Sequence, residues 1–127
     1  MTRTRVALRF FGNRTQIQNV FAQLRVEEAE MLEAGPGQDH THLWKLESRL
    51  QPEAALEGHL WDLVCRLDKR DAVVRDLAAT LGRPSIYCTV TAERGAADST
   101  YATNLSCEVL QAVADLDADL RLYLVAL

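Results

Sequence analysis

Three histidines, three cysteines and several acidic pairs are the residues of this chain whose types could do chemistry. His40 and His42, two apart, would share one face of a strand and offer two imidazoles to a metal, with Asp39 beside them. A third ligand would have to come from His59, and without a matching second cluster the pair reads as an exposed loop. No metal is expected. Cys107 falls at the first turn of a predicted helix, where free backbone amides favour a thiolate. A catalytic thiol also wants a histidine within hydrogen-bond reach, and no histidine follows His59. A structural or incidental cysteine is the expectation. Carboxylates group at Glu27/Glu28, Asp68/Asp71 and Asp115/Asp117/Asp119, always in polar sequence, whereas a pKa-shifted acid is usually embedded among apolar residues. There is no phosphate loop, dinucleotide fingerprint or nucleophile elbow. The residues therefore point away from an enzyme and from any cofactor.

The elements that must position these groups belong to an ordinary globular chain. Its 127 residues suit one domain spanning 1–127, and 48% hydrophobic with 25% charged residues is enough to build a core. No apolar run approaches the length of a membrane-spanning helix, and the start MTRTRVALRFFG lacks the features of a secretory signal. A cytoplasmic protein is expected. The odd cysteine count, without Cys-x-x-Cys, favours reduced and mostly buried thiols. Net charge is −4, which argues against a dedicated nucleic-acid binder. Its distribution is uneven: Arg3, Arg5, Arg9, Arg14 and Arg25 precede Glu27, Glu28, Glu30, Glu33 and Asp39. The arginines could bind anions only if they lay on one face.

Period-two alternation predicts a first strand over Arg5–Phe11, with Val6, Leu8 and Phe10 on one face and Arg3, Arg5 and Arg9 on the other. Thr15 is the expected cap of a helix carrying Ile17, Val20, Phe21 and Leu24. Val26–Ala34 is rich in helix formers and reads either as more helix or as one arm of a hairpin closing at Gly35-Pro36-Gly37 onto a strand over His42–Leu50. Pro52–Leu81 is the longest helical signal. Its stripe of Leu56, Leu60, Leu63, Val64 and Leu67 is broken at Asp68–Asp71, which predicts one bent helix or two, with Asp71 able to cap the second. The apolar face should cover the sheet, touching Val6, Leu8, Ile86 and Val90. A strand over Ser85–Glu93 and a loop over Arg94–Ser99 follow, then a helix capped by Ser106 over Cys107–Leu116. The last strand, Leu120–Leu127, is apolar nearly throughout after Arg121, as a strand buried on both faces or paired with another chain would be.

The ending LSCEVLQAVADLDADLRLYLVAL resembles the C-terminus of a bacterial family, domain-of-unknown-function family 4279. The likeness extends to the first strand and its helix, to Leu43-Trp44-Lys45-Leu46 and to Leu56-Glu57-Gly58-His59-Leu60. Members carry glycine at the turn where this chain has Asp117, and a Pro-x-x-x-Trp-type strand where it has Glu27–Glu33. The resemblance implies the hairpin reading of Val26–Leu50. The implied fold is α+β: a ferredoxin-like antiparallel sheet covered by helices on one face, with an added C-terminal helix and strand. It implies no catalytic residues.

A small acidic chain without chemistry fits a protein-binding module, most concretely an immunity protein that neutralises a cognate bacterial toxin, because acidic surfaces can plug basic active sites. The contact would be formed by Glu27, Glu28, Glu30, Glu33 and Asp39. Trp61, off the main leucine stripe, would serve as an interface anchor if it is not core. The alternatives are a small-ligand binder or minor enzyme, and a homodimer made through the terminal strand.

Overall fold

The computed structural model describes residues 2–33, 42–92 and 103–126. Asp39, His40, the Gly35-Pro36-Gly37 turn and the Arg94–Ser99 segment lie outside them. The elements in order are β1 (Thr2–Gly12), α1 (Arg14–Leu24), β2 (Glu30–Glu33), β3 (His42–Glu47), α2 (Leu56–Arg66), α3 (Asp71–Leu81), β4 (Ser85–Ala92), α4 (Cys107–Asp115) and β5 (Asp119–Ala126). The protein is an α+β domain with one five-stranded sheet, in the order β2-β3-β1-β4-β5.

Local chemistry explains most of the boundaries. α1 is capped by Asn13 rather than Thr15: the Asn13 side chain accepts from the Gln16 amide at 2.8 Å, and Gln16 Oε1 accepts from the Asn13 amide at 2.9 Å. Gly12 makes room for this box, since a Cβ there would stand 2.7 Å from Gln16 Oε1. The helix stops at Arg25, whose backbone is left-handed at φ 51°, and Glu28 follows at φ 68°. The acidic run therefore does not continue α1. Pairing of β2 with β3 overrides its helix propensity and gives the hairpin. The long helical signal divides into α2 and α3 where its stripe is interrupted. Arg70, not Asp71, occupies the cap position of α3, and no side chain caps that helix.

Neighbouring strands are antiparallel at β2–β3, β3–β1 and β1–β4, whereas β5 runs parallel to β4. This corrects the expectation of an antiparallel sheet: α4 is a crossover connection, and such a connection returns the chain in the same direction.

All the helices contribute to one core on one side of the sheet. Leu56, Leu60, Leu63, Leu67, Val74, Leu77, Val109 and Val113 close over Val6, Leu8, Phe10, Trp44, Leu46, Ile86 and Cys88. Val6, Leu8 and Ile86 thus meet the expected helical face, and Val90 is buried on the same side. Phe10 and Phe21 stand edge-on to Trp44, with ring centroids 6.0 and 6.4 Å away. Only Cys88 of the three free cysteines is buried, its thiol pushed up to about 12 by burial. Cys65 and Cys107 are exposed, against the expectation of mostly buried thiols, because each sits on the outer side of its helix.

β5 departs further from expectation. It is not buried on both faces; every residue from Asp119 to Ala126 is exposed. Leu120, Leu122 and Leu124 are level with Ile86, Cys88 and Val90 and so point to the helical side, but the helices stop short of them.

Candidate functional site: the uncovered face of the sheet

Residues that alternate with the core positions make up the sheet's other face. The β1–β4 register places Arg9, Ala7, Arg5 and Arg3 beside Ser85, Tyr87, Thr89 and Thr91. β3 adds Lys45 and Glu47, level with Arg9 and Ala7. β5 adds Arg121 and Tyr123, level with Tyr87 and Thr89. Arg3, Arg5 and Arg9 therefore do share one face, as the period-two reading requires. Arg14 opens α1 and Arg25 caps its end, so neither belongs to this strand face.

A cleft of about 250 Å³ opens among Arg5, Arg9, Lys45, Glu47, Tyr87 and Thr89. Arg5 donates through Nε to Glu47 Oε1 at 2.9 Å, and its Nη2 lies 2.7 Å from the same oxygen. Lys45 Nζ approaches Glu47 Oε2 at 3.5 Å. Burial raises the Glu47 pKa, but the hydrogen bond and charge of Arg5, with those of Lys45, outweigh it and hold the carboxyl below its ordinary value. Arg9 is engaged differently. Its guanidinium lies 4.4 Å from the centre of the Tyr87 ring, and its Nε is buried with no hydrogen-bond partner. Of the three cations that line the cleft, Arg5 and Lys45 share the one carboxylate, and Arg9 lies over the ring instead.

The aromatic part of the face is continuous. Tyr87 and Tyr123 stack at 5.9 Å with planes 5° apart, Phe11 meets Tyr87 edge-on at 6.4 Å, and Arg121 lies 5.7 Å from the Tyr87 ring. Flat rings beside cations can take up a carboxylate or phosphate and the apolar group next to it.

The residues expected to bind a partner are spread over the molecule. Glu27, Glu28, Glu30 and Glu33 are exposed. Arg66 ties the first two down. Its side chain, only 9% exposed, donates to the carbonyls of Glu47 (2.6 Å) and Glu27 (3.2 Å) and stands 3.7 Å from the Glu28 carboxylate. Arg70 donates to the Leu24 carbonyl at 2.7 Å and completes this clamp at the end of α1. Glu30 is level with Lys45 and so faces the open side, whereas Glu33 lies on the other side, 3.7 Å from His42. Trp61 is half-buried and packs against the core from α2.

One pair of potential catalytic type was not foreseen. Ser48 Oγ is 2.8 Å from His59 Nδ1, and both residues line a second cleft of about 260 Å³. The hydroxyl also accepts from the Leu50 amide at 3.2 Å, which fixes it as a turn brace. His59 is 1% exposed, and its Nε2 makes no well-formed hydrogen bond. Burial pushes its pKa down; the carbonyls of Gln51 and Ala54 and the charge of Asp62 pull the other way. A buried neutral imidazole without an orienting carboxylate on Nε2 is a poor general base. Eleven residues separate the two in sequence, so only the fold reveals the pair. Among the described residues no group of three or more His, Cys, Asp or Glu could hold a metal, and no helix is long and apolar enough to cross a membrane.

Among the described residues, then, helices cover one face of the sheet of this α+β fold, and the other face is cationic and aromatic. The chain belongs to the family described as Domain of unknown function (DUF4279), which it matches over residues 2–126. No curated protein and no solved structure matches the chain.

Proposed function

We propose that this protein is a non-enzymatic binding module that engages a protein partner through the uncovered face of its sheet. The observation that carries the reading is the cleft around Arg9, where a guanidinium with no carboxylate partner among the described residues stands over Tyr87 beside Lys45. Such a group recognises a carboxylate on a partner, and the exposed rings supply apolar contact around it. The most concrete version is an immunity protein that neutralises a cognate bacterial toxin. The accompanying fold reading is ferredoxin-like for β1 through β4, supported by the order β2-β3-β1-β4 with antiparallel neighbours. A small anionic ligand is the second reading, favoured by the volume of the cleft.

Co-purification with the product of the neighbouring gene, together with protection of cells that express that product, tests the proposal. Wild type should retain the partner, and Arg9→Glu combined with Lys45→Glu should lose it. Glu27→Lys combined with Glu28→Lys should keep it. The opposite pattern would move the contact to the acidic segment. Retention by both variants, or saturation of the wild type by a free dicarboxylate without any protein partner, would end the protein-partner reading.

A further inference from the structure

The edge formed by β5 carries an inference independent of the binding face. Natural proteins blunt an exposed sheet edge with lysine, proline, a bulge or an inward charge. β5 has no such device after Arg121: it pairs with β4 over its whole length in unbroken register, and Leu122 through Ala126 are uncharged. Its helical side presents Leu120, Leu122 and Leu124, which are 38%, 50% and 64% exposed.

We infer that β5 pairs antiparallel with β5 of a second copy about a two-fold axis, joining two sheets into one of ten strands. The strand's own chemistry selects this occupant. Its only charges are Asp119 and Arg121, and Arg83 already answers Asp119 at 3.8 Å and Asp117 at 3.2 Å. A strongly acidic or basic peptide would find no complement along the edge. A second copy finds leucine against leucine.

A two-fold perpendicular to the sheet pairs residues of like face, which leaves a short set of registers. Centring on Arg121 sets that arginine opposite itself, and like charges directly across a ladder are unfavourable. Centring on Tyr123 leaves Asp119 without an opposite number among the described residues and pairs Leu120 with Ala126. Centring on Leu122 keeps Asp119 through Val125 paired, sets Leu120 against Leu124 and puts Arg121 across from Tyr123 of the other copy. In this register the open face gains a row that crosses the axis. It runs from Ala7 through Tyr87 and Arg121 to the other copy's Tyr123, Thr89 and Arg5, so that Arg121 stands between two tyrosine rings.

Light scattering on the full chain should give twice the 14.2 kDa protomer mass, falling to one protomer on dilution. Leu122→Lys should halve the mass and melt where the diluted, monomeric wild type melts, because Leu122 is half exposed in the protomer and only the association is lost. Register is read by cross-linking in a Cys65→Ser, Cys107→Ser background. Leu122→Cys should oxidise to a covalent dimer, since residues opposite each other on adjacent strands lie within disulfide reach. Tyr123→Cys should not. A wild-type mass of one protomer at every concentration would overturn the dimer. A dimer insensitive to Leu122→Lys would place the contact elsewhere, and preferential cross-linking through Tyr123→Cys would overturn the register.

Discussion

The two faces of the sheet are made by the same strands and share almost nothing else. On β1, Val6, Leu8 and Phe10 are buried under the helices, while Arg3, Arg5 and Phe11, one residue away, are exposed. The covered face is held by apolar packing, which punishes any change of volume or polarity. The open face is held by a few polar and cation–π contacts in water, each worth little to stability. Its side chains are therefore free to be selected for what they bind. The lesson is that a one-residue step along a strand moves a substitution from one kind of consequence to the other.

The harshest way to break this contrast is Leu60→Asp. It puts an unpaired charge into a fully buried site, and the expected loss is on the order of the whole stability of a domain. Circular dichroism should show no cooperative melt; a folded, cooperatively melting variant would mean that Leu60 does not lie on the face of α2 that packs on the sheet. A gentler comparison pairs neighbours. Leu8→Ala should cost about 2–5 kcal/mol through the cavity it leaves. Arg9→Ala should cost within about 1 kcal/mol and still weaken partner binding about tenfold or more. Urea unfolding of both variants, with a binding assay on the second, reads the difference directly. Equal stability losses would erase the distinction between the faces.

Acid should act through the covered side. Burial holds His59 neutral in the folded protein, whereas the unfolded chain takes up a proton near pH 6.5. A depressed folded pKa contributes stability above the unfolded value and loses it as pH falls. The melting temperature should thus decline from pH 7 to pH 5, and His59→Gln should flatten that decline. An unchanged slope would assign the acid sensitivity to another group. The smallest expected effect is at Asp117, where φ is 55° and the carboxylate pairs with exposed Arg83. Asp117→Gly relieves the left-handed backbone and loses a surface ion pair, so the melt should move by no more than about 0.5 kcal/mol in equivalent stability.

Much of the covered face was legible beforehand. Alternation at Val6, Leu8 and Phe10 and the leucine stripe of α2 are local patterns, and each requires a buried side whatever lies opposite. The break at Asp68–Asp71 was equally local, and it separates α2 from α3. The acidic stretch was ambiguous, because propensity favours helix there while the resemblance favours the hairpin; the left-handed backbone at Arg25 and Glu28 and the pairing of Glu30–Glu33 with β3 decide for the hairpin. Of the candidate site, only the arginine row could be read, since Arg3, Arg5 and Arg9 follow the period of one strand. Nothing in sequence marks Lys45, Tyr87 or Arg121 as their neighbours.

By itself, then, the sequence determined which side of each strand and helix turns inward, because that depends on periods of two and 3.6 residues within one element. The tertiary structure alone decided which strands lie side by side. It gathered Arg9, Lys45 and Tyr87 into one cleft, set Ser48 against His59 and left β5 uncovered at the edge. The physical reason is that strand order and direction are set by long-range pairing and by the connection between strands, and neither leaves a local signature in composition or spacing.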